Sequence, residues 1–359
     1  MSRQLVFAVP GALAQRTGGY LYGQRVVNGL RAQGWAVQVA ELAGRFPLAD
    51  DRARAAAAQA IDAAPANATV VIDGLALPAF DRVLLRAIAR QPVLGFIHHP
   101  LSLETGLSAG LAARLGSIEC ALWSRLDGLV CASSNTARAA RAAGICPARI
   151  AVAEPGVDLP SEPVVRQRTV PPGSPVRLLC VATVTPRKNH RMLVQALARV
   201  RTRSWRLDCI GSLDRDAQTV AMLRSLIAEH GLDAHVVLHG EQSDDRLDAA
   251  WREADLFVLA SDHEGYGMVL TEALAHGVPV VATRAGAIPE TIPASACRLV
   301  APGDVAALAR VLDRLITERA ALGALAEGAR AARPSLVPWP QAVSRWGAAV
   351  QALGTRPMP

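Results

Sequence analysis

Two carboxylates, Glu264 and Glu272, are the residues of this chain whose type and spacing most clearly suggest chemistry. Both lie between two apolar runs, 256–260 and 278–282. Glu272 belongs to a helical pattern that ends at Gly277. That order predicts a strand, a polar loop, a helix and another strand. Because ligands of parallel α/β sheets bind where strands end, the pattern predicts a binding site around the first carboxylate.

The loop between the carboxylates has the form of a phosphate-binding turn. Gly265 and Gly267 flank Tyr266, and glycine lets a backbone approach a ligand closely. The amides that follow, from Gly267 through Met268 to Val269, would point out of a helix N-terminus, where amides and the helix dipole favour an anion. Taken alone, the two glycines also fit a tight turn that needs them for its own geometry.

A pair of cations forms the second candidate group. Arg187 and Lys188 follow the predicted strand 177–182 and precede a predicted helix. At such a junction an arginine can bind a diphosphate through two hydrogen bonds and a lysine as a point charge. Nearly all of the positive charge in this chain is arginine, so Lys188 is a rare lysine. Without its context, the pair also fits a solvated surface.

The N-terminal half offers two further candidate sites. Gly18 and Gly19 open a helix after the first strand, in a pattern that is not G-x-G-x-x-G. His98 and His99 end the fourth predicted strand, where a neutral imidazole can contact a hydroxyl group or polarise a leaving group. A plain glycine turn and a packing histidine are the alternatives, and which of the two histidines faces the site stays open.

The combined pattern E-G-Y-G-x4-E-A-x3-G-x-P-V-V-A-T resembles, nearly residue for residue, the E-x7-E signature of the GT4 glycosyltransferases. The resemblance implies that Glu272 accepts hydrogen bonds from the donor's ribose hydroxyls. It implies that Glu264 contacts hydroxyls of the transferred sugar near the reacting carbon. Lys188 falls where the family has its diphosphate-binding lysine. The sequence departs from the commonest pattern at Ala182-Thr183, where many members have Gly-Arg, and Arg187 would supply the missing guanidinium.

The resemblance extends more weakly to the first half of the chain. The loop with Gly18 and Gly19 is similar to the family's glycine loop, whose backbone lies near the donor phosphates. Register with the family favours His98 over His99 as the histidine of the site.

Strands alternate with helices along the whole chain, which predicts an α/β fold with parallel, doubly wound sheets. The resemblance implies the GT-B fold, with two Rossmann-like domains facing a cleft and a final helix that crosses back onto the N-terminal domain. The predicted parts are an N-terminal acceptor domain, a proline-rich linker, a C-terminal nucleotide-sugar domain and the last helix, at 1–160, 161–176, 177–335 and 336–359.

Composition limits the classes of function. The net charge is +7, but the arginines are scattered and no basic helix carries interleaved aromatics, so no nucleic acid is expected as a partner. No apolar run is long enough for a membrane span, and residues 1–10 are too short for a secretory signal. A cytoplasmic protein is expected, and peripheral contact with the inner face of the membrane stays open.

The implied reaction is transfer of a hexosyl group from a nucleotide-diphosphate sugar, with UDP- and GDP-sugars favoured, to an acceptor hydroxyl with retention at the anomeric carbon. The acceptor is a glycan, a lipid-linked molecule or a small molecule. No cofactor and no metal are expected, because Asp214-Arg215-Asp216 has the D-x-D form but fits the start of a helix. The alternatives are a nucleotide-sugar epimerase of the same architecture and a non-catalytic sugar-nucleotide-binding protein.

Overall fold

The computed structural model describes residues 3–104, 107–160 and 174–355. The chain divides into two compact units, one formed by Met1–Gly156 with Val337–Pro359 and the other by Val157–Leu336. Most of the predicted linker, from 161 to 173, lies outside the described residues. Within the described residues, no helix combines the length and apolar character needed to cross a lipid bilayer.

The first unit contains a six-stranded parallel sheet with helices between its strands. Its strands are β1 Gln4–Pro10, β2 Ala36–Leu42, β3 Thr69–Asp73, β4 Val93–Ile97, β5 Gly128–Cys131 and β6 Ile150–Val152. Its first five helices are α1 Gly18–Ala32, α2 Asp51–Ala63, α3 Leu84–Arg90, α4 Ala109–Trp123 and α5 Ser134–Ala142. The strand order is β2-β1-β3-β4-β5-β6, so the winding of the sheet reverses between β1 and β3.

The second unit repeats this design. Its strands are β7 Val176–Val181, β8 Trp205–Ile210, β9 Val236–Gly240, β10 Leu256–Leu259, β11 Val280–Thr283 and β12 Cys297–Val300. Its helices are α6 His190–Ala198, α7 Ala217–Glu229, α8 Asp244–Glu253, α9 Met268–Ala275, α10 Ile288–Thr291, α11 Val305–Thr317 and α12 Arg319–Ala332. The order is β12-β11-β10-β7-β8-β9, and every pairing is parallel.

Burial on both faces explains why the strands are almost uniformly apolar in sequence. Every residue of β4, β5, β10 and β11 is buried. A parallel sheet covered by helices has no solvated face, so its strands do not alternate between polar and apolar residues. The predicted α/β class with two doubly wound sheets is therefore confirmed.

The sequence pattern also predicts one helix over 304–330 and one over 78–90, and both predictions are wrong in their extent. The helix predicted over 304–330 is two helices, α11 and α12, that meet at Glu318, whose backbone lies at φ −97° and ψ 86°. Since α11 packs on α6 whereas α12 packs on α9, the chain turns there to bury both apolar faces. The helix predicted over 78–90 is a 3-10 turn, Leu77–Phe80, followed by α3.

The last helix, α13 Trp339–Gly354, packs in the first unit against α1. Trp346 is fully buried, with its ring 6.2 Å from that of Phe7 and 5.6 Å from that of Phe96. Close approach of the two helices depends on Gly29 of α1, because a Cβ at that position would lie 2.6 Å from Cγ2 of Val343. A β-branched side chain has little freedom to move away.

Replacing Gly29 with alanine is therefore expected to lower the free energy of unfolding by about 1–3 kcal/mol, the usual range for overpacking a core. Urea unfolding measures the change. Gly110→Ala is the matched control, since Gly110 is also helical and in the same unit but has nothing within 4 Å of an added Cβ. Equal stability of the two variants would contradict the described contact between α1 and α13.

Candidate functional site

The candidate site of the second unit lies where the winding of its sheet reverses. β7 and β10 are neighbours in the sheet. The strand that follows β7 in the chain, β8, lies on one side of this pair, and the strand that follows β10, β11, lies on the other. Such a reversal leaves a crevice outside the strand ends, the usual ligand-binding place of open α/β sheets. The loops 182–189 and 260–267 leave these two strand ends and carry most of the predicted site residues.

The loop after β7 ends in a tight turn that is shaped by one asparagine. Pro186–Lys188 forms a 3-10 turn, and Asn189 follows in the left-handed conformation with φ of 46°. Asparagine tolerates that conformation better than most residues. The side chain of Asn189 also caps α6 by accepting a hydrogen bond from the backbone N–H of Met192 at 3.1 Å.

Hydrogen bonds join this loop to the loop after β10. The backbone N–H of Asp262 donates to the carbonyl of Arg187 at 2.8 Å, and Nδ2 of Asn189 donates to Oδ1 of Asp262 at 2.9 Å. Nη1 of Arg187 donates to the carbonyl of His263 at 2.9 Å. The two loops are consequently held in one relative position.

A buried ion pair forms where the loops meet. Nζ of Lys188 donates to Oε1 of Glu264 at 2.6 Å, and Nη1 of Arg187 lies 3.6 Å from Oε2 of the same carboxylate. The side chain of Glu264 is 7% exposed and that of Lys188 is 15% exposed. Lys188 is also the single lysine of the chain.

Glu264 is ionised in this setting. Burial alone would raise the pKa of its carboxyl group, but the positive charges of Lys188 and Arg187 and the hydrogen bond from Lys188 outweigh burial, and the pKa lies below its ordinary value. The site therefore combines a fixed negative charge with two cations.

The glycine loop leads from Glu264 into the helix that carries the second carboxylate. Gly267 is the N-cap of α9 with φ of 90°, and the amides of Met268 and Val269 are the first of that helix. The first amides of a helix have no partner within it, so they are available to an anion. Glu272 lies half-buried in the second turn of α9.

A glycine from another loop fits directly against Glu264. Gly286 has φ of 57°, and a Cβ there would lie 2.2 Å from the carbonyl oxygen of Glu264. The same carbonyl accepts a hydrogen bond from the backbone N–H of Ala287 at 2.9 Å. The backbone of the carboxylate is thus fixed from the side of β11 as well.

The first unit brings together Gly19 and His98. A Cβ on Gly19 would lie 3.6 Å from Cε1 and Nε2 of the His98 ring, and Gly18 is the first residue of α1. Nε2 of His98 lies 2.9 Å from Oδ2 of Asp73, at the carboxyl end of β3. A carboxylate in this position orients an imidazole ring.

His99 is oriented differently from its neighbour. Its Nε2 lies 3.1 Å from Oε2 of Glu104. Of the two histidines, it is therefore His98 that lies against the glycine turn of α1 and near the reversal of the first sheet.

The D-x-D sequence, Asp214-Arg215-Asp216, lies at the start of a helix, as predicted. Oδ1 of Asp216 accepts a hydrogen bond from the backbone N–H of Thr219 at 2.9 Å and caps α7. Among residues 3–104, 107–160 and 174–355, no group of three or more His, Cys, Asp or Glu side chains is arranged to hold a metal ion.

Sequence reasoning gave no role to Asn189, Asp262 or Asp73. Asp73 and Asp262 both lie where an apolar strand ends, a signal that was available in the sequence. Their partners come from other strands, and neighbouring strands are not visible in a single sequence.

The contact between Gly286 and Glu264 predicts a steric requirement in the second unit. We expect Gly286→Ala to lower the free energy of unfolding by at least about 2 kcal/mol more than Gly303→Ala, because the backbone of Glu264 must move to make room. Gly303 is the matched control, since it also has positive φ, 78°, but nothing within 4 Å of an added Cβ. Both variants carry the same conformational penalty, so chemical denaturation isolates the clash. Equal losses would contradict the contact.

The ion pair predicts a particular dependence of stability on pH. Since the folded pKa of Glu264 is lowered, its contribution is present above the unfolded pKa of about 4.3 and is lost as the pH falls through the folded pKa. The wild type should exceed Glu264→Gln in unfolding free energy by a constant amount from about pH 5 to 7, and this difference should shrink as the pH falls below that range.

Urea unfolding across this pH range measures that gap. Glu253→Gln serves as the control, because Glu253 pairs with Arg177 in an exposed ion pair, and such pairs contribute little. A gap that widens as the pH falls would mean that the pKa of Glu264 is raised.

Comparison with known proteins relates part of the second unit to a family. Residues 175–318 match the family described as Glycosyl transferases group 1. The chain is 34% identical over 167 residues to the MMP alpha-(1->4)-mannosyltransferase of Mycolicibacterium hassiacum, covering 45% of this chain and 40% of the relative. It is 35% identical over 193 residues to the D-inositol 3-phosphate glycosyltransferase of Arthrobacter sp., covering 50% and 45%. The matched part thus spans less than half the length of these relatives.

Solved structures resemble the chain over nearly its whole length. Sucrose-phosphate synthase from Thermosynechococcus elongatus has a TM-score of 0.79 at 20% identity, covering 97% of this chain and 98% of that one. Anabaena HepE in complex with UDP and glucose has a TM-score of 0.75 at 19% identity, covering 97% and 99%. At such identity the likeness shows the fold, which is GT-B with two Rossmann-like units. Residues 175–318 of the second unit therefore resemble the group 1 glycosyl transferases in sequence.

Proposed function

We propose that this protein transfers a hexosyl group from a nucleotide-diphosphate sugar to an acceptor hydroxyl, with retention of anomeric configuration. The observation that carries the proposal is the placement of Lys188 and Arg187 around ionised Glu264, at the reversal of the second sheet. That place is where open α/β sheets bind ligands, and the cations and helix amides there suit a diphosphate.

In this proposal the cations stabilise the leaving group. As the bond between sugar and diphosphate breaks, negative charge grows on the diphosphate. Arg187 offers a planar guanidinium, and Lys188 has donors left after its bond to Glu264. The first amides of α9, from Met268 and Val269, add dipoles that are already oriented, so little reorganisation is needed.

The two carboxylates bind hydroxyl groups of the donor. An ionised carboxylate only accepts hydrogen bonds and therefore suits a diol. Glu272 of α9 accepts from the ribose, and Glu264 accepts from hydroxyls of the transferred sugar. The turn Gly265-Tyr266-Gly267 brings the backbone close enough for the helix amides to reach the phosphates.

The first unit contributes the remaining groups. In this proposal the glycine turn at Gly18 and Gly19 would contact the donor phosphates, and His98, oriented by Asp73, would contact a hydroxyl near the reacting carbon. His99 stays with Glu104 and supports the same loop. The acceptor is a glycan, a lipid-linked molecule or a small molecule.

Retention and independence of metal are further parts of the proposal. The cations supply positive charge where a metal-dependent transferase would use an ion. The leaving phosphate itself helps to deprotonate the acceptor hydroxyl, so the reaction needs no nucleophile from the protein.

The names of relatives and structural neighbours support the donor class. The relatives are described as mannosyl- and inositol-phosphate glycosyltransferases. HepE was crystallised with UDP and with UDP-glucose. These names favour a transferase over the epimerase and the non-catalytic binding protein.

The proposal predicts that Lys188→Ala lowers kcat/KM by about 100-fold or more, as for loss of one preorganised donor at a developing negative charge. The assay incubates a panel of UDP-, GDP- and ADP-sugars with candidate acceptors and measures release of the nucleoside diphosphate. Glu272→Ala should lose donor affinity, and Arg310→Ala, an exposed cation of α11, should retain activity.

The same assay tests retention of anomeric configuration and independence of metal. Product NMR should show the donor's anomeric configuration, and EDTA should leave the rate unchanged. If no donor of the panel is bound or turned over, the transferase proposal fails and the non-catalytic alternative takes its place.

A further inference from the structure

The ion pair raises a question that the proposed function does not answer. Lys188 and Arg187 are the groups proposed to bind a diphosphate, yet both already face the carboxylate of Glu264, at 2.6 Å and 3.6 Å. An anion that binds them must share them with that carboxylate. The geometry points to Glu264 as an internal counter-ion that weakens binding of the nucleoside diphosphate, the product left after transfer. This inference rests on the proposed function.

Distance makes the competition unavoidable. A phosphate oxygen at hydrogen-bond distance from Nζ of Lys188 lies no farther than about 5.5 Å from Oε1 of Glu264, given the 2.6 Å contact and an ordinary bond. The side chains of Glu264, Lys188 and Arg187 are 7%, 15% and 22% exposed, so water screens their charges little. Negative charge this close lowers the affinity for an anion by about tenfold or more.

The hydrogen bonds between the loops prevent Glu264 from simply moving aside. Its backbone is held by Ala287 and by the fit of Gly286, and the cation loop is held by Asn189 and Asp262. These contacts fix its backbone, and burial of its side chain limits rotation, so in this proposal the carboxylate stays close to the cations when a diphosphate binds. Weak retention of the product follows, and release of the diphosphate becomes easier.

Glu264→Gln separates this role from a purely structural one. Glutamine has the same size and keeps an oxygen that accepts the hydrogen bond from Lys188, but it lacks the charge. If Glu264 is a counter-ion, the variant binds a diphosphate more tightly. If Glu264 only positions the cations, the variant binds it equally or more weakly.

The experiment is calorimetric titration of the full chain with inorganic pyrophosphate, UDP and GDP. We expect affinity for pyrophosphate and for the preferred nucleotide to rise about tenfold or more in Glu264→Gln. Glu253→Gln removes the same charge from an exposed pair with Arg177 near the opposite end of β7, and its affinities should equal those of the wild type.

The single lysine provides a direct signal from the site. Protein grown with [13Cε]lysine gives one side-chain resonance, from Lys188, because the chain contains no other lysine. Pyrophosphate should shift this resonance in both the wild type and Glu264→Gln, with saturation at lower concentration in the variant. The resonance also reports whether the variant is folded.

Glu264→Asp is the second variant, in case the glutamine protein does not fold. It keeps the charge but withdraws it by one methylene, so a smaller increase in affinity is expected. Unchanged or weaker binding in the folded variants, with binding intact in the wild type, would overturn the counter-ion role and leave the proposed function standing. No binding of any probe to the wild type would overturn both.

Discussion

The second unit depends on keeping one carboxylate ionised away from water. Glu264 is buried, and a buried charge is tolerated only when it is paired and hydrogen-bonded. Its partners come from a loop 76 residues earlier in the chain, so both loops must be held in place. Asn189, Asp262 and Gly286 do this through a left-handed turn, a side-chain hydrogen bond and a close backbone contact.

The strand order makes this arrangement possible. β10 and β7 are neighbours at the reversal of the sheet. The loops that follow these two strands therefore lie side by side, although the strands are distant in sequence. The first unit has the same kind of reversal, between β1 and β3, and places a carboxylate and an imidazole, Asp73 and His98, beside it.

The sequence predicts the elements better than it predicts their neighbours. Buried parallel strands such as β10 and β11 are apolar along their whole length, so their existence was visible, and the types of Glu264 and Lys188 suggested their chemistry. The pairing of Asn189 with Asp262 was not visible, because it depends on which strands lie side by side. The break at Glu318 carries no glycine or proline signal and results from packing against two different helices.

The single lysine of the chain lies in this ion pair. The chain has 38 cationic residues, and all except Lys188 are arginine. The contact with Glu264 is short and largely buried. It suits the compact ammonium group of lysine, which has three donors, better than the planar guanidinium group of arginine. One donor of Lys188 serves the carboxylate. Arg187 has a wider guanidinium group, which donates to the carbonyl of His263 and also lies beside the carboxylate of Glu264. The two cations are therefore not interchangeable, even though they neutralise the same charge.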